Sequence, residues 1–250
     1  MEIPGMFSWF HILCLILIFG MTFLLSFFFK DASEKTYKRI LLFFWIVLLV
    51  FEVLKQLVKT FHYGNPSYWE YDPYDFPFHL CSMVLYFLPI LIFVKRDGFL
   101  VDGAKGFMAF LILFAGLGVC IYTDMVMTRF IFINIQTMVH HGSQVILGVY
   151  VFVWNRKKIA IHTYWRSLVL FAIVALIAVS INLAFYPQGI DMFFLNPLQI
   201  TTLPLVDVVQ REAGFFVYLL GYLAVIAGLA FLMYFIETSI YKLVLKCKKE

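Results

Sequence analysis

The chain has 250 residues, of which 63% are hydrophobic and only 14% are charged, and its mean hydropathy is +0.92. Because a soluble domain usually carries about 25% charged residues, this composition excludes the ordinary soluble classes and indicates an integral membrane protein. The net charge of +4 comes without a basic tract interleaved with aromatic residues, so no nucleic-acid partner is expected.

Seven hydrophobic runs are long enough to cross a membrane. A spanning helix needs about 20 mostly apolar residues, and its backbone must form its hydrogen bonds internally. The predicted helices are 7–29, 40–61, 77–94, 104–122, 132–154, 165–186 and 213–236. The sequence therefore predicts an all-α fold: a polytopic transmembrane bundle that forms a single domain over residues 1–250.

The basic residues predict how this bundle is oriented. Fifteen of the 19 Lys and Arg residues lie in the first, third and fifth loops and near the C-terminus. By the positive-inside rule these segments are cytoplasmic, and seven crossings then place the N-terminus outside. Residues 239–250 are expected to form a basic cytoplasmic tail. The first run lacks a basic n-region and a cleavage site, so it is interpreted as a retained helix.

The stretch that opens the third predicted helix combines an imidazole, a thiol and a hydroxyl. Polar groups at membrane depth are costly and tend to be functional. Residues three or four apart share a helix face, so His79 is expected beside Ser82 and, farther on, Tyr86. Cys81 would point roughly 200° away from His79. Asp75 is interpreted as a cap or loop carboxylate.

Helix five supplies the imidazoles that could serve this cysteine. His140, His141 and Gln144 lie in its outer half, and Asn182 lies near the outer end of helix six. A thiol at a helix N-terminus close to an imidazole can act as a nucleophile. The candidate catalytic residues are therefore Cys81, His140, His141 and His79. Candidate substrate-binding residues are Asp75, Ser82, Tyr86, Gln144 and Asn182.

Three parts of the chain together resemble a known family. They are Pro-Phe-His-Leu-Cys-Ser at 77–82, the histidine-bearing fifth helix, and the Asn-containing sixth helix followed by the aromatic loop 191–197. These features resemble the YwaF family of bacterial integral membrane proteins, which is similar to the eukaryotic transmembrane protein 164 acyltransferases. The resemblance implies that Cys81 carries an acyl group, that His140 or His141 is the base, and that membrane lipids in a bacterial plasma membrane are the partners.

Two other function classes remain open from the sequence. His79, His140 and His141 could supply three zinc ligands of a membrane hydrolase, although helix seven lacks the HxxxH pair that ceramidase-type enzymes carry there. A transporter or receptor would use the polar layer to bind a solute, although no internal repeat supports it. The four cysteines form no CxxC pair, and no cofactor is expected.

Overall fold

A computed structural model describes residues 3–124, 126–201, 203 and 206–247. Within these residues the chain forms seven α-helices, which are α1 (Trp9–Phe28), α2 (Glu34–Thr60), α3 (Val84–Phe93), α4 (Phe99–Ile121), α5 (Ile131–Asn155), α6 (Ile161–Ala184) and α7 (Val206–Cys247). A two-residue antiparallel pair, β1 (Phe61–His62) and β2 (Tyr68–Trp69), lies in the loop between α2 and α3. The all-α bundle predicted from the sequence is confirmed.

Five of the helices in the described part of the chain are long and apolar enough to cross a membrane: α1, α2, α4, α6 and α7. The apolar segment Leu80–Phe93, which contains α3, is shorter. The fifth helix, α5, has 25 residues but carries the polar residues around His140. Every predicted run thus contains a helix, and α5 matches its predicted run to within one residue at each end.

The bundle has two chemically different ends. We call the end that carries loops 61–79 and 185–201 the aromatic-loop end, and the end that carries Lys30, Arg156 and Lys246 the basic end. At the basic end, Arg156 donates to the carbonyl of Lys30 over 2.8 Å and binds the Asp31 carboxylate. These bonds join the end of α5 to the end of α1.

The start of the third helix was predicted wrongly. The prediction placed residues 77–83 in a regular α-helix, but Leu80–Met83 form a 3-10 turn and α3 begins at Val84. His79 has an extended backbone with φ −90° and ψ 165°. Pro77 keeps the preceding Phe76 out of helical geometry, where ψ is 129°, and the extended His79 prevents a regular helix from starting before Leu80. His79 therefore shares no helix face with Ser82 or Tyr86.

The seventh helix is longer than predicted in both directions. It begins at Val206, and Gly214 interrupts it with φ 81° and ψ 167°, a conformation that glycine adopts without steric cost. The predicted start at 213 coincides with this interruption. At the other end α7 continues to Cys247, so residues 239–247 are helical, whereas the rest of the predicted tail, 248–250, lies outside the described residues.

The core of the bundle is built on α4 and α5. The middle of α4 is a π-helical segment, Phe107–Ile112, in which every side chain is buried. The two helices approach closely at Gly116, where an added Cβ would lie 2.7 Å from the Cβ of Gln144. This contact fixes the depth at which α5 presents its polar residues.

Candidate functional site

Two side chains of α5 hold the main chain of Cys81. The Nε2 atom of His140 donates to the Cys81 carbonyl over 3.2 Å, and the Gln144 amide donates to the same oxygen over 2.8 Å. His140 and Gln144 are four residues apart and lie on one helix face. A single face of α5 therefore forms both hydrogen bonds to the 3-10 turn. The predicted juxtaposition of Cys81 with the polar part of helix five is therefore observed.

The thiol of Cys81 is half-buried, and its sulfur forms no hydrogen bond to either imidazole among the described residues. Cys81 stands in the last turn before α3 begins. Main-chain N–H groups at a helix start carry partial positive charge, which favours a thiolate. Cys81 thus lies at a helix start and close to a histidine-bearing helix.

The two adjacent histidines differ in which ring nitrogen is free. A carbonyl can only accept a hydrogen bond, so His140 carries its proton on Nε2, and its buried Nδ1 has no partner within the described residues. His141 donates from Nδ1 to the Thr137 carbonyl over 2.9 Å. Its Nε2 is therefore the free basic nitrogen, and the ring is half-buried rather than buried. The ring centroids of the two histidines lie 5.2 Å apart.

A second histidine–cysteine contact provides a structural comparison. The Nε2 atom of buried His11 lies 2.8 Å from the Cys120 carbonyl, and its Nδ1 lies 3.0 Å from the N–H of Phe7. Both ring nitrogens of His11 are satisfied, as expected for a core histidine that links α1 to α4. His140 makes the same kind of contact but keeps one nitrogen unpaired.

His79 forms its hydrogen bond within the loop between α2 and α3. Its Nε2 lies 3.1 Å from the Tyr74 carbonyl, and the two rings have centroids 4.9 Å apart. Among residues 3–124, 126–201, 203 and 206–247, no group of three His, Cys, Asp or Glu side chains could hold a metal ion. The three histidines therefore do not form the zinc-binding set considered from the sequence.

An ion pair on α2 lies next to the site. Lys55 and Glu52 are 2.8 Å apart, and the Glu52 side chain is 8% exposed. The Lys55 charge acts electrostatically on Cys81, His140 and His141. The sequence indicated only a charge pair at a helix end. Because depth along α2 does not reveal which way its side chains face, this association was missed.

The other polar residues predicted for the site hold its surrounding loops. Asp75 forms an ion pair with Lys59 and accepts from Gln56 through its carbonyl over 2.6 Å. The Tyr86 hydroxyl donates to the Pro77 carbonyl over 3.0 Å. Ser82 is buried in the 3-10 turn. These contacts position the segment before Cys81.

Asn182 fastens the loop after α6. Its amide donates to the Met192 carbonyl over 3.0 Å and its oxygen accepts from the Met192 N–H over 2.7 Å. Next to it, Asp191 is 3% exposed and accepts from the Asn196 N–H over 2.9 Å. Burial raises the pKa of Asp191 to about 6, although the bond from Asn196 lowers it. The loop thus places a poorly solvated carboxyl at the aromatic-loop end.

Two tyrosines connect this loop with Cys81. Burial raises the pKa of Tyr74, and the charges of Asp191 and Cys81 raise it further. Tyr222 of α7 lies within the electrostatic range of the same two groups. Neither tyrosine could be assigned from sequence, because tyrosines are frequent in this chain and nothing in their spacing distinguishes these two.

One of three comparisons with known proteins identifies the family of the chain. A family model described as the TMEM164 family matches residues 6–235. The chain belongs to the TMEM164 family. No curated protein sequence and no solved structure matches it. The match covers all of α1 to α6 and most of α7, so the relation to transmembrane protein 164 inferred from three parts of the sequence is confirmed.

Proposed function

We propose that this TMEM164-family protein is a membrane-embedded acyltransferase in which Cys81 carries the acyl group. The observation that supports this most directly is the double hydrogen bond from His140 and Gln144 to the Cys81 carbonyl. It keeps a half-buried thiol against a helix that carries two imidazoles. Burial disfavours a thiolate at Cys81, and the positive charge of Lys55 nearby and the helix start that follows Cys81 offset part of that cost.

Within this proposal, His141 is the base and His140 is a positioning residue. The bond from Nδ1 to the Thr137 carbonyl orients the His141 ring and leaves Nε2 as a proton acceptor. A base that is oriented through one nitrogen and reacts through the other is the arrangement common in nucleophilic enzymes. His140 instead directs its Nε2 proton at the main chain of the nucleophile.

The proposed reaction has two steps. The Cys81 thiolate attacks the carbonyl of a phospholipid ester, so that a carbon–sulfur bond forms and the ester carbon–oxygen bond breaks. The imidazole returns the thiol proton to the departing alkoxide, which leaves as a lysophospholipid. The hydroxyl of a second lysophospholipid then attacks the thioester, and its proton passes through the imidazole to the cysteine sulfur.

We also propose that all seven helices cross the membrane, with the N-terminus outside and the basic end in the cytoplasm. The distribution of Lys and Arg supports this orientation. It places Cys81 in the outer half of a plasma membrane, and we propose a bacterial one. The described side chains give no support to the metal-dependent alternative, and no specific observation favours a transporter or receptor.

The direct test is the intact mass of the purified protein after incubation with liposomes that contain a short-chain phospholipid donor. We expect the native chain to gain one acyl group that neutral hydroxylamine removes, as it removes thioesters. Cys81→Ser should gain no hydroxylamine-sensitive group. Absence of an adduct on native protein that remains folded in the same liposomes would refute acyl-enzyme chemistry.

The chain offers two matched controls. Cys14 is also half-buried, but it faces an apolar groove between α1, α2 and α5. Cys120 is buried, and its carbonyl meets His11. Cys14→Ser and Cys120→Ser should both acylate like the native chain. An adduct that disappears in either control and persists in Cys81→Ser would assign the chemistry to a different cysteine.

A further inference from the structure

A large cavity opens near the basic end, away from the residues that hold Cys81. It has a volume of about 840 Å³, and α1, α4, α5 and α7 form its walls. Along α5 its lining extends from Val145 to Arg156, which is about 16 Å at the rise of an α-helix. Most of the wall is apolar. The cavity has the volume of a typical small-molecule site and an elongated form that suits an acyl chain.

One end of this cavity is lined with basic groups. Lys30, Arg156 and Lys157 stand there together with Asp31. Arg156 binds the Asp31 carboxylate, so that carboxylate is already compensated. Lys30 and Lys157 therefore leave net positive charge at the mouth of an apolar cavity. This distribution matches an amphiphile with a negatively charged head and an apolar tail.

Two polar side chains inside the cavity wall lack partners. The carboxyl oxygens of Glu237 and the hydroxyl of Ser26 are buried, and neither group has a hydrogen-bond partner among the described residues. A buried carboxyl without a partner is costly, and more so in a membrane. Ser26 lies in the last turn of α1, four residues before Lys30, so an acceptor that lies just below a charged head group would reach its hydroxyl.

We propose that this cavity is a binding site for an anionic phospholipid, separate from the Cys81 site. Lys30 and Lys157 contact the phosphate. The Ser26 hydroxyl and the protonated Glu237 carboxyl donate to the ester carbonyls, and an acyl chain fills the apolar wall toward Val145. The site does not depend on acyl transfer, because neither Cys81 nor any histidine lines it.

The test is native mass spectrometry of the purified protein after exchange into phosphatidylglycerol or phosphatidylcholine. We expect the native chain to retain one phosphatidylglycerol in preference to phosphatidylcholine. The double variant Lys30→Gln/Lys157→Gln should bind phosphatidylglycerol about thirtyfold more weakly, since each basic side chain near anionic lipid contributes roughly fivefold. Its retention of phosphatidylcholine should not change, which also shows that the variant is folded.

Lys242→Gln/Lys246→Gln is the matched control. It removes two positive charges that α7 carries at the basic end, and neither residue lines the cavity. It should bind like the native chain. An equal loss in both double variants, or no loss in Lys30→Gln/Lys157→Gln, would overturn the proposal by showing that only the general surface charge matters.

Glu237 gives an independent readout. Glu237→Gln keeps a hydrogen-bond donor and should retain both lipids, whereas Glu237→Leu should lose about tenfold in affinity for both, because both carry the same ester carbonyls. If Glu237→Leu binds both lipids as tightly as the native chain, Glu237 does not contact the lipid. The proposed position of the ester groups in the cavity would then be wrong. Acylation of Cys81 is scored separately, so failure of one proposal does not decide the other.

Discussion

His140 is joined to Cys81 through the main chain of the cysteine and not through its thiol. The carbonyl of Cys81 receives bonds from His140 and from Gln144, and neither bond involves the sulfur. A side chain that moves on a fixed backbone is positioned more closely than one on a mobile loop. The hydrogen bonds to the carbonyl therefore have consequences for reactivity that can be measured separately from the base.

The amide of Gln144 can be removed with little change in shape. Gln144→Leu should lower the stability of the protein by about 1 kcal/mol and slow acylation of Cys81 by about tenfold, because the 3-10 turn is then held by His140 alone. Rates of adduct formation and thermal unfolding in detergent measure the two effects. Gln136→Leu is the control, since Gln136 is also buried on α5. Equal slowing in both variants would mean that polarity of α5 in general, not the bond to Cys81, is what matters.

The roles of the two histidines separate in variants that keep each hydrogen bond. His141→Asn preserves a donor for the Thr137 carbonyl and removes the free nitrogen, so acylation should fall by roughly 10²–10⁴-fold. His140→Gln preserves a donor for the Cys81 carbonyl, and its rate should stay within about tenfold of the native rate. Adduct formation against pH is the measurement. The opposite ranking would make His140 the base.

The buried ion pair of α2 should show strong coupling. Lys55→Met leaves the Glu52 carboxylate buried without its cation, which is expected to cost about 3 kcal/mol of stability. The double variant Glu52→Gln/Lys55→Met should recover most of this loss. A double-mutant cycle on thermal unfolding measures the coupling. Additive losses would show that the pair is not energetically linked in the membrane protein.

The acylation rates of the same variants test the electrostatic role of Lys55. Glu52→Gln/Lys55→Met should restore stability but not the positive charge near Cys81. Its rate of Cys81 acylation should therefore stay about tenfold below the native rate. A double variant with native rates would show that Lys55 serves stability alone.

Asp191 should make the stability depend on pH. Burial raises its folded pKa to about 6 from an ordinary value of 3.8, so the folded state binds the proton more tightly than the unfolded state. The stability that this proton contributes is fully present below pH 3.8 and is lost as the pH rises through about 6. The unfolding temperature should therefore fall between about pH 4 and pH 6 and level off above that. Asp191→Asn should flatten this part of the profile.

The control for Asp191 is Asp207→Asn, which removes a carboxylate that forms an ion pair with exposed Arg211. It should keep the native pH profile between about pH 4 and pH 6. A slope that survives in Asp191→Asn would assign the titration to a different group.

The sequence was sufficient to predict which segments contain helices, because hydropathy and chain length determine this. It could not predict direction around a helix axis. For α5, the sequence placed His140 and His141 on one helix, but only the fold shows that His140 bonds to the main chain of Cys81. For α3, a proline was taken as a helix start, whereas here it extends the residue before it. Lys55, Tyr74 and Tyr222 lie at the site because three separate elements converge there, and no local pattern records such convergence.

The π-helical segment in the middle of α4 divides that helix into two parts with different partners. Before it, Asp102 forms ion pairs with Lys105 of the same helix and with Arg166 of α6. After it, the carbonyl of Cys120 meets His11 of α1. A π turn contains an extra residue and rotates everything that follows relative to a regular α-helix. The segment therefore changes the direction in which the second half of α4 points its side chains. In a regular α-helix the two halves of α4 could not face α6 and α1 at the same time. Gly116, which approaches Gln144 closely, would then point away from α5.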